Sequence, residues 1–226
     1  MRLRTALLSL SLLVVPAAIV GCQSSRSTGL YNLSDFHRTI DTESDDAQLW
    51  FDRGLAYTFG FNHGEAIHCY EQAAAADPDA AMAHWGVAYA FGPHINNPAM
   101  DENASRRAYE SLQRAKNCTH KSQLESDLIV ALESRYAWPP PKDRFPLDQA
   151  YAHAMLPVYN KYGDDPDIAA LYAESLMILR PWALWSPDGT MAPETPEIMA
   201  VLERGLADHP YHPALCHFYI HTMEAS

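Results

Sequence analysis

Residues 47–78, AQLWFDRGLAYTFGFNHGEAIHCYEQAAAADP, are the stretch that decides the fold. With Ala47 as position 1, bulky aromatic residues occupy positions 4, 11 and 24, and small residues occupy positions 8, 20 and 27. In chain order these are Trp50, Gly54, Tyr57, Ala66, Tyr70 and Ala73. The small residues allow two antiparallel helices to approach closely, and the aromatic rings fill the gaps between them. Because Pro78 ends the second helix, the stretch predicts one helix-turn-helix unit.

This spacing resembles the tetratricopeptide repeat, a helix-turn-helix unit of about 34 residues. Looser copies begin at Ala81, near Lys121, at Ala169 and at Pro213. The resemblance implies an all-α, right-handed, tetratricopeptide-like solenoid with long loops between the helices of the later repeats.

Several short phrases within these copies extend the resemblance. AHWG at residues 83–86 and HFYIH at residues 217–221 are similar to an exported tetratricopeptide-repeat family of bacteria. This similarity implies a fold and no particular reaction.

The first 22 residues are typical of an export signal. Arg2 and Arg4 precede a short apolar stretch over residues 6–20, which is too short for a stable membrane span. Ile19-Val20-Gly21-Cys22 resembles the lipobox of bacterial lipoproteins, which implies cleavage before Cys22 and a lipid anchor on it. The alternative is a general secretory signal that ends in a chance cysteine.

These features divide the chain into three parts. A lipoprotein signal peptide over residues 1–21 precedes a flexible tether over 22–45, and a helical repeat domain covers 46–226. Gln23 stands where an aspartate would indicate inner-membrane retention. We therefore expect a lipid-anchored protein of the cell envelope, on the outer membrane and facing the periplasm.

Charge and motifs limit the possible functions. The 226 residues carry a formal net charge of −12, and a surface this acidic disfavours general nucleic-acid binding. The sequence contains no motif for a serine nucleophile, a phosphate loop or a dinucleotide site, so binding is favoured over catalysis. A disulfide among Cys69, Cys118 and Cys216 is permitted outside the cytoplasm, although the sequence does not select the pair.

The resemblance to the tetratricopeptide repeat implies which side chains face a concave groove. In this register the first helix of each unit presents Phe51, Leu55, Phe59, Trp85, Tyr89, Met177 and Arg180. Aromatic residues are suitable anchors for a protein or peptide partner because they offer a large contact area at low entropic cost. The competing interpretation is that these residues lie inside a tightly wound array covered by its loops.

A second candidate site lies near the end of the sequence. His217, His221 and Glu224 have the spacing i, i+4, i+7 and share one stripe of a helix. Two imidazoles one turn apart can chelate a divalent metal such as Zn²⁺, with the carboxylate as third ligand. A further ligand, for which His63 and His84 are candidates by type, would have to come from elsewhere. The alternative is an ordinary polar helix face.

Two functional hypotheses follow from these sites. The first is a lipid-anchored scaffold that binds a protein, peptide or other envelope ligand through its groove. The second is a metal-binding protein or metalloenzyme that uses the histidine stripe. Because the last predicted helix is apolar and has no pairing helix after it, we also expect this chain to be the front part of a longer protein, the alternative being a minimal cap.

Overall fold

The computed structural model describes residue 33 and residues 36–226. All of them belong to one compact unit, Leu33–Ser226. The predicted signal peptide, the lipidation site Cys22 and the first part of the predicted tether lie outside the described residues. In the described part, no helix is long and apolar enough to cross a membrane.

The described residues form helices and no β-strand beyond two isolated bridges, which confirms the all-α prediction. In chain order the helices are α1 (Asp45–Phe59), α2 (His63–Ala76), α3 (Ala81–Ala90), α4 (Glu102–Asn117), α5 (Gln123–Glu133), α6 (Phe145–Tyr162), α7 (Pro166–Met177), α8 (Thr195–Asp208) and α9 (Pro213–Met223).

Local sequence explains where several of these helices begin. The side chains of Ser44, Asp101 and Asp165 each accept a hydrogen bond from a backbone N–H in the first turn that follows. Ser122 and Glu125 form a reciprocal capping box at the start of α5. These bonds satisfy backbone donors that have no partner within the helix.

Helices α1 and α2 are the two helices predicted from residues 47–78, and they pack around one tyrosine. The ring of Tyr70 on α2 lies so close to Gly54 on α1 that a Cβ there would be 2.6 Å from it. Gly86 on α3 makes an equally close approach to the same ring. The Tyr70 hydroxyl hydrogen-bonds Thr58 Oγ1 at 3.0 Å, so three helices meet at this buried side chain.

The helices pack mainly against their neighbours in the chain. Each helix contacts the next, and the pairs α1 with α3, α3 with α5 and α7 with α9 are also in contact. Helix α9 also touches α1, where the rings of Phe59 and Phe218 pack edge to face at 6.4 Å. The first and last described helices therefore meet.

Residues 36–44, which the sequence assigns to the tether, are packed onto this unit. Arg38 Nη1 donates hydrogen bonds to Asp165 at 3.0 Å and to Asp167 at 2.6 Å. Both carboxylates lie at the start of α7, where the helix dipole favours negative charge. The segment before α1 is thus attached to a helix far along the chain.

Candidate functional site

Most of the predicted groove residues are buried. Phe51, Leu55, Phe59, Trp85 and Tyr89 each expose 5% or less of their surface. The rings of Trp85 and Tyr89 are stacked at 5.0 Å, and the ring of Phe51 packs on Tyr70 at 5.6 Å. This burial is what the competing interpretation, an array covered by its own loops, expects; ligand binding by these side chains stays a prediction.

Four of the other predicted residues lie around one cavity. Met177 at the end of α7 and Arg180 just after it lie beside His221 in α9 and Glu224 just after α9. The cavity has a volume of about 250 Å³. Its lining consists of Ile95, Met177, Arg180, Trp182, Leu184, Trp185, His221, Glu224 and Ala225. We call it the α7–α9 cavity.

The loop after α7 forms one wall of this cavity and is held in place by hydrogen bonds. Trp185 Nε1 donates to the carbonyl of Thr222 in α9 at 2.6 Å. Arg180 Nε donates to the carboxylate of Glu194 at 3.0 Å. Trp182 exposes 67% of its surface and has a positive φ of 60°. For a bulky residue this backbone conformation is strained, and such strain often marks a functional site.

The histidine stripe has a definite hydrogen-bond geometry. His217 Nδ1 lies 2.6 Å from the carbonyl oxygen of Phe59. His221 Nδ1 lies 2.9 Å from Glu224 Oε1. The Nε2 atoms of the two imidazoles are 3.0 Å apart. Each ring therefore contacts an oxygen through one nitrogen and the other histidine through its second nitrogen.

The two histidines suggested as further ligands lie elsewhere. His84 Nε2 bonds the carbonyl of Pro78 at 3.0 Å, and His63 stacks on His94 at 4.0 Å. Among the residues that the structure describes, no group of three or more histidine, cysteine or acidic side chains has an arrangement that would hold a metal ion.

The ring of Phe61 contacts two pairs of histidines. It lies 4.4 Å from His217 and 5.4 Å from His221. It also lies 5.8 Å from His63 and 5.4 Å from His94. Its φ of 56° is strained for an aromatic residue. In the sequence, Phe61 stands at position 15 of the first unit, where the repeat usually has a small residue. This departure from the repeat pattern is the feature that could have indicated the histidine contacts.

His63 and His94 are half-buried, and most of their ring nitrogens are buried without a hydrogen bond. Within the described part of the chain, neither ring nitrogen of His63 has a hydrogen-bond partner, and His94 Nδ1 has none. Burial, then the nearby His94 and Arg135, lower the pKa of His63 to about 3. A neutral His63 is therefore part of the folded interior at neutral pH.

A buried ion pair lies next to these histidines. Arg135 Nη2 lies 3.3 Å from Glu174 Oε1 and donates to the carbonyl of Pro93 at 2.7 Å. The Tyr89 hydroxyl donates to Glu174 Oε2 at 3.1 Å. Burial raises the pKa of Glu174, and Arg135 opposes that rise. The sequence did not predict this ion pair. The feature that could have indicated a buried charge is the glutamate within the otherwise apolar sequence of α7.

The three cysteines left open by the sequence are free thiols. Cys69 and Cys118 are buried, and Cys216 is half-buried. Burial, with a smaller contribution from Glu65, raises the pKa of the Cys69 thiol to about 11. A protonated, buried thiol is a weak nucleophile, so Cys69 acts as a core residue.

Comparisons with protein families, with curated proteins and with solved structures find no match to this chain.

Proposed function

We propose that this chain is a lipid-anchored helical-repeat protein of the cell envelope that binds a protein or peptide partner through the α7–α9 cavity. One observation carries the proposal: four residues predicted as binding residues, Met177, Arg180, His221 and Glu224, line the same cavity. They come from two different predicted sites and from two helices that are far apart in the chain.

We propose a right-handed, tetratricopeptide-like solenoid as the underlying fold, and the order of the helix contacts supports the repeat arrangement. Consecutive helices pair, and three pairs of odd-numbered helices contact one another, as expected when the first helices of successive repeats form an inner layer. The close approach of Gly54 and Gly86 to Tyr70 fits the role of small residues in such repeats. The long loops of this proposed fold include residues 91–101 and 178–194.

The walls of the cavity indicate what kind of group it would bind. Leu184, Ile95 and Met177 are buried apolar residues, and Trp182 presents an exposed aromatic face at the rim. A volume of about 250 Å³ is sufficient for one large apolar side chain. Apolar pockets with a few polar groups are typical of ligand sites, and exposed tryptophans are frequent binding anchors.

The net charge of the chain indicates which residues would flank the apolar residue of a bound peptide. The formal net charge of −12 attracts basic partners over long range and repels acidic ones. We therefore propose a peptide segment with one large apolar residue between lysine or arginine residues.

The test uses fluorescein-labelled peptides of seven residues, with a central Leu, Phe or Trp between lysines in a Gly-Ser background. Fluorescence anisotropy measures their binding to the purified chain. We expect Trp182→Ala to weaken binding about tenfold, as loss of an aromatic anchor commonly does. Tyr211→Ala removes another aromatic side chain, 92% exposed and outside the cavity lining, and we expect it to bind like the parent.

A peptide with glycine at the central position separates charge attraction from insertion into the cavity. The proposal fails if this peptide binds as well as the others, or if Trp182→Ala and the parent bind equally.

A further inference from the structure

The hydrogen bonds around His217 and His221 determine which ring nitrogens carry protons. A backbone carbonyl only accepts hydrogen bonds, so Nδ1 of His217 must donate to Phe59. An ionised carboxylate also only accepts, so Nδ1 of His221 must donate to Glu224. In the neutral imidazoles, both Nε2 atoms then carry a lone pair and no proton.

These two nitrogens lie close together, and the centroids of their rings are 4.7 Å apart. The Nε2 atoms lie 3.0 Å apart, a distance at which two unprotonated nitrogens repel. A cation between them converts this repulsion into attraction. Both histidines come from α9, one turn apart, so the fold of that helix maintains the arrangement.

We infer that His217 and His221 bind one divalent transition-metal ion, such as Zn²⁺, through their Nε2 atoms. Two nitrogens at about 2.0–2.1 Å from Zn²⁺ lie about 3.3 Å apart in a tetrahedral site. The observed separation of 3.0 Å needs only a small ring rotation to reach this value.

Glu224 has a different role from the one that the sequence predicts. Its carboxylate bonds Nδ1 of His221 and orients the ring, as the Phe59 carbonyl orients His217. Carboxylates and carbonyls on the second nitrogen of a metal-binding histidine are typical, and they fix the tautomer and increase the basicity of the ligand. Glu224 is therefore a positioning residue for His221.

One of the two proposed ligands borders the α7–α9 cavity. His221 is part of the lining of the α7–α9 cavity, so water or a polar group in that cavity can supply the remaining ligands. The formal net charge of −12 also favours the approach of a cation. The ring of Phe61 also packs at this site, where it stacks on His221 at 5.4 Å.

The first experiment is a calorimetric titration of the purified chain with Zn²⁺ at pH 7.5. We expect one ion to bind per chain, and His217→Gln and His221→Gln each to abolish binding while the chain keeps its helical circular dichroism. The matched control is His153→Gln on α6, which changes an exposed histidine outside this site. That variant should bind like the parent.

Two substitutions at Glu224 separate orientation from ligation. Glu224→Gln retains an oxygen that can accept from Nδ1, so its affinity should stay close to that of the parent. Glu224→Ala removes the acceptor, and loss of such a partner typically weakens metal binding about 10–100-fold. A Glu224→Gln variant as weak as Glu224→Ala would contradict the positioning role.

Electron paramagnetic resonance of bound Cu²⁺ gives a direct count of the ligands. Imidazole suits Cu²⁺, which such sites bind more tightly than Zn²⁺. The parent should show two coupled imidazole nitrogens and His221→Gln should show fewer. The inference is overturned if the parent binds no Zn²⁺, or if binding persists unchanged in both histidine variants. Peptide binding in the metal-free chain tests the proposed function separately.

Discussion

His63 is a single side chain that makes the stability of the fold depend on pH. Its ring packs against both Phe61 and His94, and burial lowers its pKa from the usual 6.5 to about 3. In the unfolded chain the imidazole regains its ordinary pKa. Between pH 6.5 and 3, the unfolded state therefore binds one proton more than the folded state, and acid favours unfolding.

We predict that this residue makes the protein about 2 kcal/mol less stable at pH 5 than at pH 7. His63→Phe retains an aromatic ring for stacking and removes the titration, so its free energy of unfolding should fall less over this range. Urea denaturation at several pH values measures the difference. Some pH dependence should remain, because the pKa of His94 is lowered as well.

His153→Phe, at an exposed position on α6, is the control and should reproduce the pH profile of the parent. If the profile of His63→Phe also runs parallel to that of the parent, His63 is not the group responsible.

The contacts of individual functional side chains were only partly predictable from the sequence. The i, i+4 spacing placed His217 and His221 on one face, because that spacing is fixed by helix geometry. The bond from His217 to the carbonyl of Phe59 was not predictable, since it depends on how α9 packs against α1, 158 residues away. The same holds for Arg135 and Glu174, which meet only through tertiary packing.

At the scale of elements, the helices around Tyr70 provide the sharpest test of packing. Its fully buried ring lies between two glycines on neighbouring helices. We predict that Gly54→Leu destabilises the fold by about 1–3 kcal/mol, the usual cost of overpacking a core. Thermal and chemical denaturation would measure this loss.

Gly64 on α2 is the matched control, because a Cβ there would meet nothing within 4 Å. Alanine has a higher helix propensity than glycine, so Gly64→Ala should stabilise the protein by up to about 1 kcal/mol. Equal melting temperatures for Gly54→Leu and the parent would show that the ring can move aside, against this prediction.

Helix positions were more predictable than the surfaces that they form. Small and bulky residues at fixed spacing predicted α1 and α2 over residues 47–78, because this pattern is required for close contact between neighbouring helices. The cavity residues Trp182 and Trp185 were not singled out. They lie in a loop whose shape depends on hydrogen bonds to α9 and to Glu194.

At the scale of the whole molecule, the proposed anchor determines where the chain is found. If Cys22 carries lipid, the mature protein should sediment with membranes, and Cys22→Ser should release it or stall its processing. Fractionation of cells followed by immunoblotting measures this distribution. Cys216→Ser is a control that removes a cysteine from the helical unit. Membrane-bound Cys22→Ser protein after normal signal cleavage would exclude the lipid anchor.

The contact between α1 and α9 also has a consequence for how the molecule unfolds. In an open row of repeats, each repeat touches only its neighbours, so the ends can fray independently and stability is a sum of local terms. Here Phe59 on α1 packs on Phe218 and accepts a hydrogen bond from His217. Loss of one terminal helix removes support from the other, so unfolding should be more cooperative. Such distant contacts also slow folding, because a long stretch of chain must close before they form.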